Sequence, residues 1–289
     1  MVMGMGVAGS ALATVTGQFI GMVPVLWFFI FSKKALFRLR LSCMRPEIHL
    51  IGRICLFGLA SFVTEVVGSL LSIVLNQLLV YYGTMDPIGA QGALSAIGVG
   101  NKIAMFSFMP IIGLVMGAQP IIGFNYGAKS WKRVKEAVKL AMIWATVFCA
   151  FFYVVNNVFA VQLIGLFGIE STLTDYAVAV LRIMMGVFPI VGIQVVGSSY
   201  FQSSGQPIKS TVLELTRQVL FLMPLFLILP NVLPALVGIT QLDSIVVAWP
   251  ASDMLSTIVT VVFVIREMHK LTRLQREAKQ GSAQESTVA

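Results

Sequence analysis

Residues 106–141, FSFMPIIGLVMGAQPIIGFNYGAKSWKRVKEAVKLA, decide which solvent this chain folds in. Phe106 to Phe124 contains no charged residue, and Lys129, Lys132, Arg133, Lys135 and Lys139 then follow in quick succession. An uncharged apolar run needs about 20 residues to carry a helix across a hydrocarbon core of about 30 Å. The run ending at Phe124 begins as far back as Gln91, so it is long enough to cross, and the basic cluster marks where it leaves the bilayer.

The rest of the chain has the same character. Of 289 residues, 57% are hydrophobic and 11% charged, with a mean hydropathy of +0.90. Soluble domains carry about 25% charged residues, and this chain cannot supply the polar surface that a water-soluble fold of its size needs. Three scattered cysteines, Cys43, Cys55 and Cys149, and two histidines, His49 and His269, offer neither a disulfide framework nor a metal site. There is no nucleophile constellation and no nucleotide-binding loop, so neither an enzyme nor an ATP-driven pump is expected.

Seven apolar runs of spanning length are present, at 6–31, 51–82, 91–124, 137–160, 176–201, 211–229 and 245–265. The fold class expected is therefore an all-α integral membrane protein of about seven transmembrane helices. Orientation follows from basic residues, which concentrate in short cytoplasmic loops. Six lie between the first two spans, five between the third and fourth, Lys209 after the fifth, and five after the last (Arg266, Lys270, Arg273, Arg276 and Lys279). The opposite loops hold Asp86, Glu170, Asp175 and Asp243 with no Lys or Arg. This places the C-terminus in the cytoplasm of a multi-pass plasma-membrane protein. The net charge of +8 reflects topology and attraction to anionic membrane lipids, and implies no nucleic-acid partner. Seven spans with a cytoplasmic C-terminus put Met1 outside with no signal peptide to carry it there, so the chain is expected to continue a longer protein that supplies earlier spans.

Several stretches resemble the multidrug and toxic compound extrusion (MATE) family. Residues 106–141 look like the end of that family's eighth helix, GVAGSALATVTGQ (6–18) its sixth, SYFQSSGQPIKS (199–210) the loop after its tenth, and RQVLFLMPLFLILP (217–230) its eleventh. The resemblance covers nearly the whole chain. It implies the last helix of an N-terminal lobe (1–32), a basic cytoplasmic interlobe loop (33–50), a six-helix C-terminal lobe (51–265) and a cytoplasmic tail (266–289), with most of the N-terminal lobe a missing partner. It further implies a secondary antiporter that exports small organic, often cationic, compounds against H+ or Na+, with no other cofactor. Such transporters bind substrate near the midplane and rock one bundle against the other.

Charged residues inside a span mark candidate functional groups, since a charge at the bilayer centre costs several kcal/mol. Glu65 lies twelve residues beyond Arg53, about 18 Å along the helix, with no basic residue near it in sequence. At 100° per residue, Ser61, Glu65, Gly68, Ser72 and Asn76 fall within about 80° of arc, a polar stripe suited to a cavity wall. A carboxylate there can carry a proton or bind Na+ when ionised; as a structural group it would pair with Lys102 or Arg182. In the family pattern the glutamate of this helix stands about one turn further on, at Gly68. The acid of the family's tenth helix has no counterpart in 176–201, where the polar residues of note are Arg182, seven positions from Asp175, and Gln194. Glu214 and Arg217 are spaced for a local ion pair. Asn101, Lys102 and Asp253 are expected in outer halves of their spans, lining a vestibule or pairing with one another.

Small residues and prolines describe the mechanics. Gly113 with Gly117, and Gly186, Gly192 and Gly197, would admit a close neighbouring helix. Pro110, Pro120, Pro189 and Pro224 are expected to kink their spans. Two alternatives stand beside an exporter. A lipid-linked oligosaccharide flippase would need a basic central cavity, to which Lys102 and Arg182 would contribute, whereas the best central charge is acidic. A non-functional membrane fragment would transport nothing. The topology itself is tested by single cysteines: at Gly83, Ser171 and Thr240 they should react with a membrane-impermeant maleimide from outside, and at Ser42, Ser130 and Gln280 only after permeabilisation. The opposite pattern would reverse the orientation.

Overall fold

The computed structural model describes residues 6–31 and 47–288. Of the basic interlobe loop expected at 33–50, residues 33–46 lie outside the described residues, and α2 already begins at Ile48. Among the described residues the chain forms helices joined by short turns. These are α1 (Gly6–Phe31), α2 (Ile48–Gly83), α3 (Gly89–Gly127), α4 (Trp131–Val158), α5 (Ala160–Gly165), α6 (Ser171–Met185), α7 (Phe188–Ser203) and α8 (Pro207–Leu215). A π-helical segment (Thr216–Leu222) leads into α9 (Met223–Val237), and α10 (Gln241–Val288) follows. Helix is the expected outcome in lipid, where every backbone N–H and C=O must be satisfied within its own segment. Six helical stretches are long and apolar enough to cross a membrane, and the bent pair α6–α7 makes a seventh. The expected fifth span is therefore two helices meeting at 47°. The break at Gly186 and Val187 precedes Pro189, which lacks the donor that would continue the helix. By contrast, α3 runs through Pro110 and Pro120 as one helix.

The chain separates into two compact units, Met1–Leu56 and Phe57–Ala289. The first contains α1 and the start of α2; α1 exposes apolar side chains such as Phe19, Trp27 and Phe31, as a helix sheathed by lipid does. The second unit holds the core. Along α4 the buried positions Val134, Val138, Ala141, Ala145 and Cys149 recur at helical spacing, and on α3 Ala93, Ala96, Ile97, Ile103, Ile111 and Val115 form the facing stripe. Leu79 and Tyr82 attach the C-terminal part of α2 to this core, together with Leu181, Phe188, Phe226 and Ile245. A second cluster lies at the other end, where Ile122, Val134, Val138, Phe201, Leu213, Val264 and Leu271 pack together.

Only some of the expected small-residue contacts form. A Cβ on Gly192 would lie 2.8 Å from the Ala145 carbonyl carbon and 3.1 Å from Cys149 Sγ, and one on Gly197 would lie 2.5 Å from Thr260 Cγ2. These two glycines set how closely α7 approaches α4 and α10. Gly113 and Gly117 have no neighbour within 4 Å of such a Cβ, so no described helix uses that pair. They lie on the exposed side of α3, opposite its buried stripe. The segment after residue 265, expected as a tail, continues α10 without a break. Its sequence is rich in helix formers, Leu271 is buried, and Arg273 pairs with Glu277 at 3.3 Å one turn on.

Gly192→Ala is expected to destabilise the protein by about 1–3 kcal/mol, because the added methyl meets backbone rather than a movable side chain. Gly113→Ala should leave stability unchanged or slightly raised. Thermal unfolding of the detergent-solubilised protein distinguishes them, and equal midpoints would refute this packing.

Candidate functional site: a polar interior of the second unit

The polar interior of the second unit is built where α7, α8, the π segment and α10 meet. Asp253 on α10 is 7% exposed, and the Arg217 Nε of the π segment donates to its Oδ1 at 2.7 Å. This overturns two expectations. Arg217 does not pair with Glu214, and Asp253 pairs with neither Asn101 nor Lys102, both of which are exposed on α3. The π turn explains the first: its i→i+5 bonding widens the helix and carries Arg217 off the face that Glu214 shares with α8. Pro224 just beyond the π segment has no N–H to give to the preceding turn, and a widened turn accommodates its ring. Glu214 instead accepts a hydrogen bond from the Ser198 hydroxyl at 2.9 Å, and that hydroxyl lies 2.9 Å from the Ser210 hydroxyl.

Glu65 lies on the exposed side of α2, and no ion pair joins it to Lys102 or Arg182 among the described residues. One turn further along, a Cβ on Gly68 would lie 3.8 Å from Gln218 Oε1. That contact sets the level of α2 against the π segment. Glu214 and Asp253 thus belong to this interior with Arg217, while Glu65 stands on the exposed side of α2.

The remaining expected residues distribute around this zone. Gln194 is buried on α7, one turn from the Gly197–Thr260 contact, and its Oε1 has no hydrogen-bond partner; Gln218 Oε1 is likewise buried and unpaired. Ser72 and Asn76 lie exposed on α2, with the Ser72 hydroxyl donating to the Gly68 carbonyl at 3.0 Å. Ser61 lies within α2, and its side chain is outside the described set. Arg182 is exposed, and its Nη2 donates to the Asn157 carbonyl at 3.3 Å, satisfying an acceptor in the last turn of α4. A cavity of roughly 900 Å³ lies at the start of α3 beside the segment joining α5 to α6. Gln91, Ser95, Glu170 and Thr172 line it, and none of the expected site residues does.

A polar centre that sequence reading missed sits at the other end of α7. Glu267 is 5% exposed and accepts from Gln206 Nε2 at 3.2 Å, Lys209 Nζ at 3.5 Å and Lys270 Nζ at 3.5 Å. Gln206 follows Gly205, whose φ of 75° favours glycine, and Lys209 lies in the first turn of α8. Glu267 precedes Lys270 by three residues in an obviously basic stretch, which hid its long-range partners.

Breaking the interior pair is expected to destabilise more than replacing it. Asp253→Leu leaves Arg217 without its counter-charge and should lower stability by about 3 kcal/mol, the lower end for a buried pair because the Arg217 side chain is 30% exposed. Adding Arg217→Met should restore most of the loss. Thermal midpoints of the two variants check this, and a double variant no better than the single one would contradict the pairing.

Comparison with known proteins agrees with this architecture. The chain is 25% identical over 235 residues to the multidrug export protein MepA of Staphylococcus saprophyticus, a match covering 81% of this chain and 50% of that protein. It is 23% identical over 239 residues to MepA of Staphylococcus aureus strain NCTC 8325, with the same coverage. It therefore spans about half the length of the curated relatives it matches. Among solved structures, the MATE multidrug transporter DinF-BH in complex with R6G superposes with a TM-score of 0.72 at 34% identity, covering 91% of this chain and 56% of that one. An outward-facing MATE family transporter of the MOP superfamily shares the fold with a TM-score of 0.77 at 19% identity, covering 94% and 58%. Residues 60–228 match the MatE family model, and on that match across more than half its length the chain belongs to the MatE family of membrane transporters.

Proposed function

We propose that this chain is the C-terminal lobe, with one preceding helix, of an antiporter that exports organic cations in exchange for H+ or Na+. The observation that carries the reading is the acid surplus inside a member of this family: Glu214 and Asp253 against one guanidinium, Arg217, where α7, α8, the π segment and α10 meet. A net negative zone within a membrane calls for a compensating cation, which a proton, Na+ or a cationic substrate supplies. Such a charge favours organic cations over the anionic headgroups that a flippase would carry. Glu65, on the exposed side of α2, is the carboxylate that a substrate or coupling ion reaches first; Asp253 and Arg217 hold the interior of the lobe. Gln194, Ser72, Asn76, Asn101 and Lys102 would line the path.

Both lobes are needed for alternating access, so the chain by itself is expected to give a pump-deleted host no resistance to ethidium. In the two-lobed protein, Glu65→Gln preserves size and hydrogen bonding but cannot ionise. Ethidium export should fall at least about tenfold at unchanged membrane abundance, equivalent to about 1.4 kcal/mol. A collapse of export with a protonophore identifies H+, and dependence on Na+ at fixed pH identifies Na+. Unchanged export by the glutamine variant would remove Glu65 from the mechanism, and export by the chain alone would refute the single-lobe assignment.

A further inference from the structure

A cluster of uncompensated positive charge on the second unit lies at the end of the bundle away from the cavity beside the α5–α6 segment. The α3–α4 turn contributes Lys129, the first turns of α4 contribute Arg133 and Lys139, and the extension of α10 contributes Arg266 and Arg276. All five are exposed and form no ion pair among the described residues. The two elements are more than a hundred residues apart in sequence, yet the Lys135 Nζ donates to Thr272 Oγ1 at 3.2 Å, and Val134, Val138, Val264 and Leu271 bury one another. Their cations therefore belong to one end of one packed unit.

Two observations set this patch apart from an ordinary solvated basic surface. Local physics opposes it: Lys132 and Arg133 occupy the first turn of α4 with no acidic residue there, where the positive end of the helix dipole disfavours cations. Lys129 is the only non-glycine with positive φ among the described residues, at 52°, a conformation whose strain a glycine would relieve. The edge-to-face pair of Tyr126 and Trp131, with ring centroids 5.3 Å apart, lies beside these cations and suits the depth of lipid headgroups.

We propose that this patch is a binding site for the phosphodiester headgroups of anionic phospholipids, with Lys129 and Arg133 as its centre and Arg266 and Arg276 as its second wall. The dipole of α4 and the uncompensated cations both favour an anion, and the position at the ends of the spans makes a lipid the anion at hand. The site does not rest on the transport reading.

The test uses the full chain in nanodiscs of phosphatidylcholine, with or without phosphatidylglycerol, measuring phosphatidylglycerol retention by native mass spectrometry and the thermal midpoint. The unaltered chain should retain phosphatidylglycerol over phosphatidylcholine and melt higher in its presence, with both effects weakened by high salt. Lys129→Gly should lower retention about fivefold while its midpoint in pure phosphatidylcholine stays level or rises, since the substitution relieves strain as it removes charge. A structural role for Lys129 predicts the reverse. The triple variant Arg133→Gln, Arg266→Gln, Arg276→Gln should lower retention by more than about a hundredfold. No preference in the unaltered chain, or retention unchanged in both variants, would overturn the proposal. An equal gain from inorganic phosphate in neutral nanodiscs would overturn its lipid part and leave a free-phosphate site.

Discussion

Hydrocarbon offers no hydrogen bonds, and most of the structure follows from that. A span can satisfy its backbone only by coiling into a helix, and polar side chains within it must turn inward or bond to their own helix. Serines and threonines take the second route: Ser69, Ser72, Ser107, Thr216, Thr257 and Thr260 each donate to a carbonyl four residues earlier. Asn156 and Gln119 take the first, reaching Ser107 at 2.8 Å and Ser199 at 3.1 Å on neighbouring helices. Arg217 and Asp253 are the extreme case, two charges that tolerate the interior through a bond of 2.7 Å.

The same constraint divides the second unit into a rigid interior and a permissive exterior. Glycines at 192 and 197 bring α7 against α4 and α10 at near-backbone distance, and the charged pair ties the π segment to α10. On the exposed face of α3, Met105, Met109 and Met116 lie at helical spacing. A bundle that moves as one body needs the first property, and a surface that slides past lipid or varied ligands needs the second.

Much of this was legible in the sequence because hydrophobic length and charge placement are one-dimensional signals. The apolar run from Gln91 to Phe124 became α3, and the run 137–160 became α4, because twenty uncharged residues admit little else. Side-chain partnership is a three-dimensional property, and there sequence reading failed. Spacing assigned Glu214 to Arg217, yet a π turn that no composition rule announces redirected Arg217 to Asp253, thirty-six residues away. Gly113 and Gly117 carry the small-xxx-small spacing, yet among the described residues no neighbour lies against them. Depth and periodicity, which hold for any helix, singled out Glu65; the approach of Gly68 to Gln218 on the π segment emerged only from the structure.

The π segment also bears on how this region tolerates change in chain length. Each of its hydrogen-bonded rings encloses one residue more than an α-helical ring, so Thr216–Leu222 holds a surplus residue within an otherwise regular span. A one-residue deletion there, ruinous in an ordinary helix, would be absorbed by conversion to α-helix while α9 kept its place. The residue facing Asp253 would then change, since the facing direction of position 217 depends on that surplus. An insertion or deletion within this short stretch would therefore rewrite the charge pairing of the lobe and leave its architecture standing.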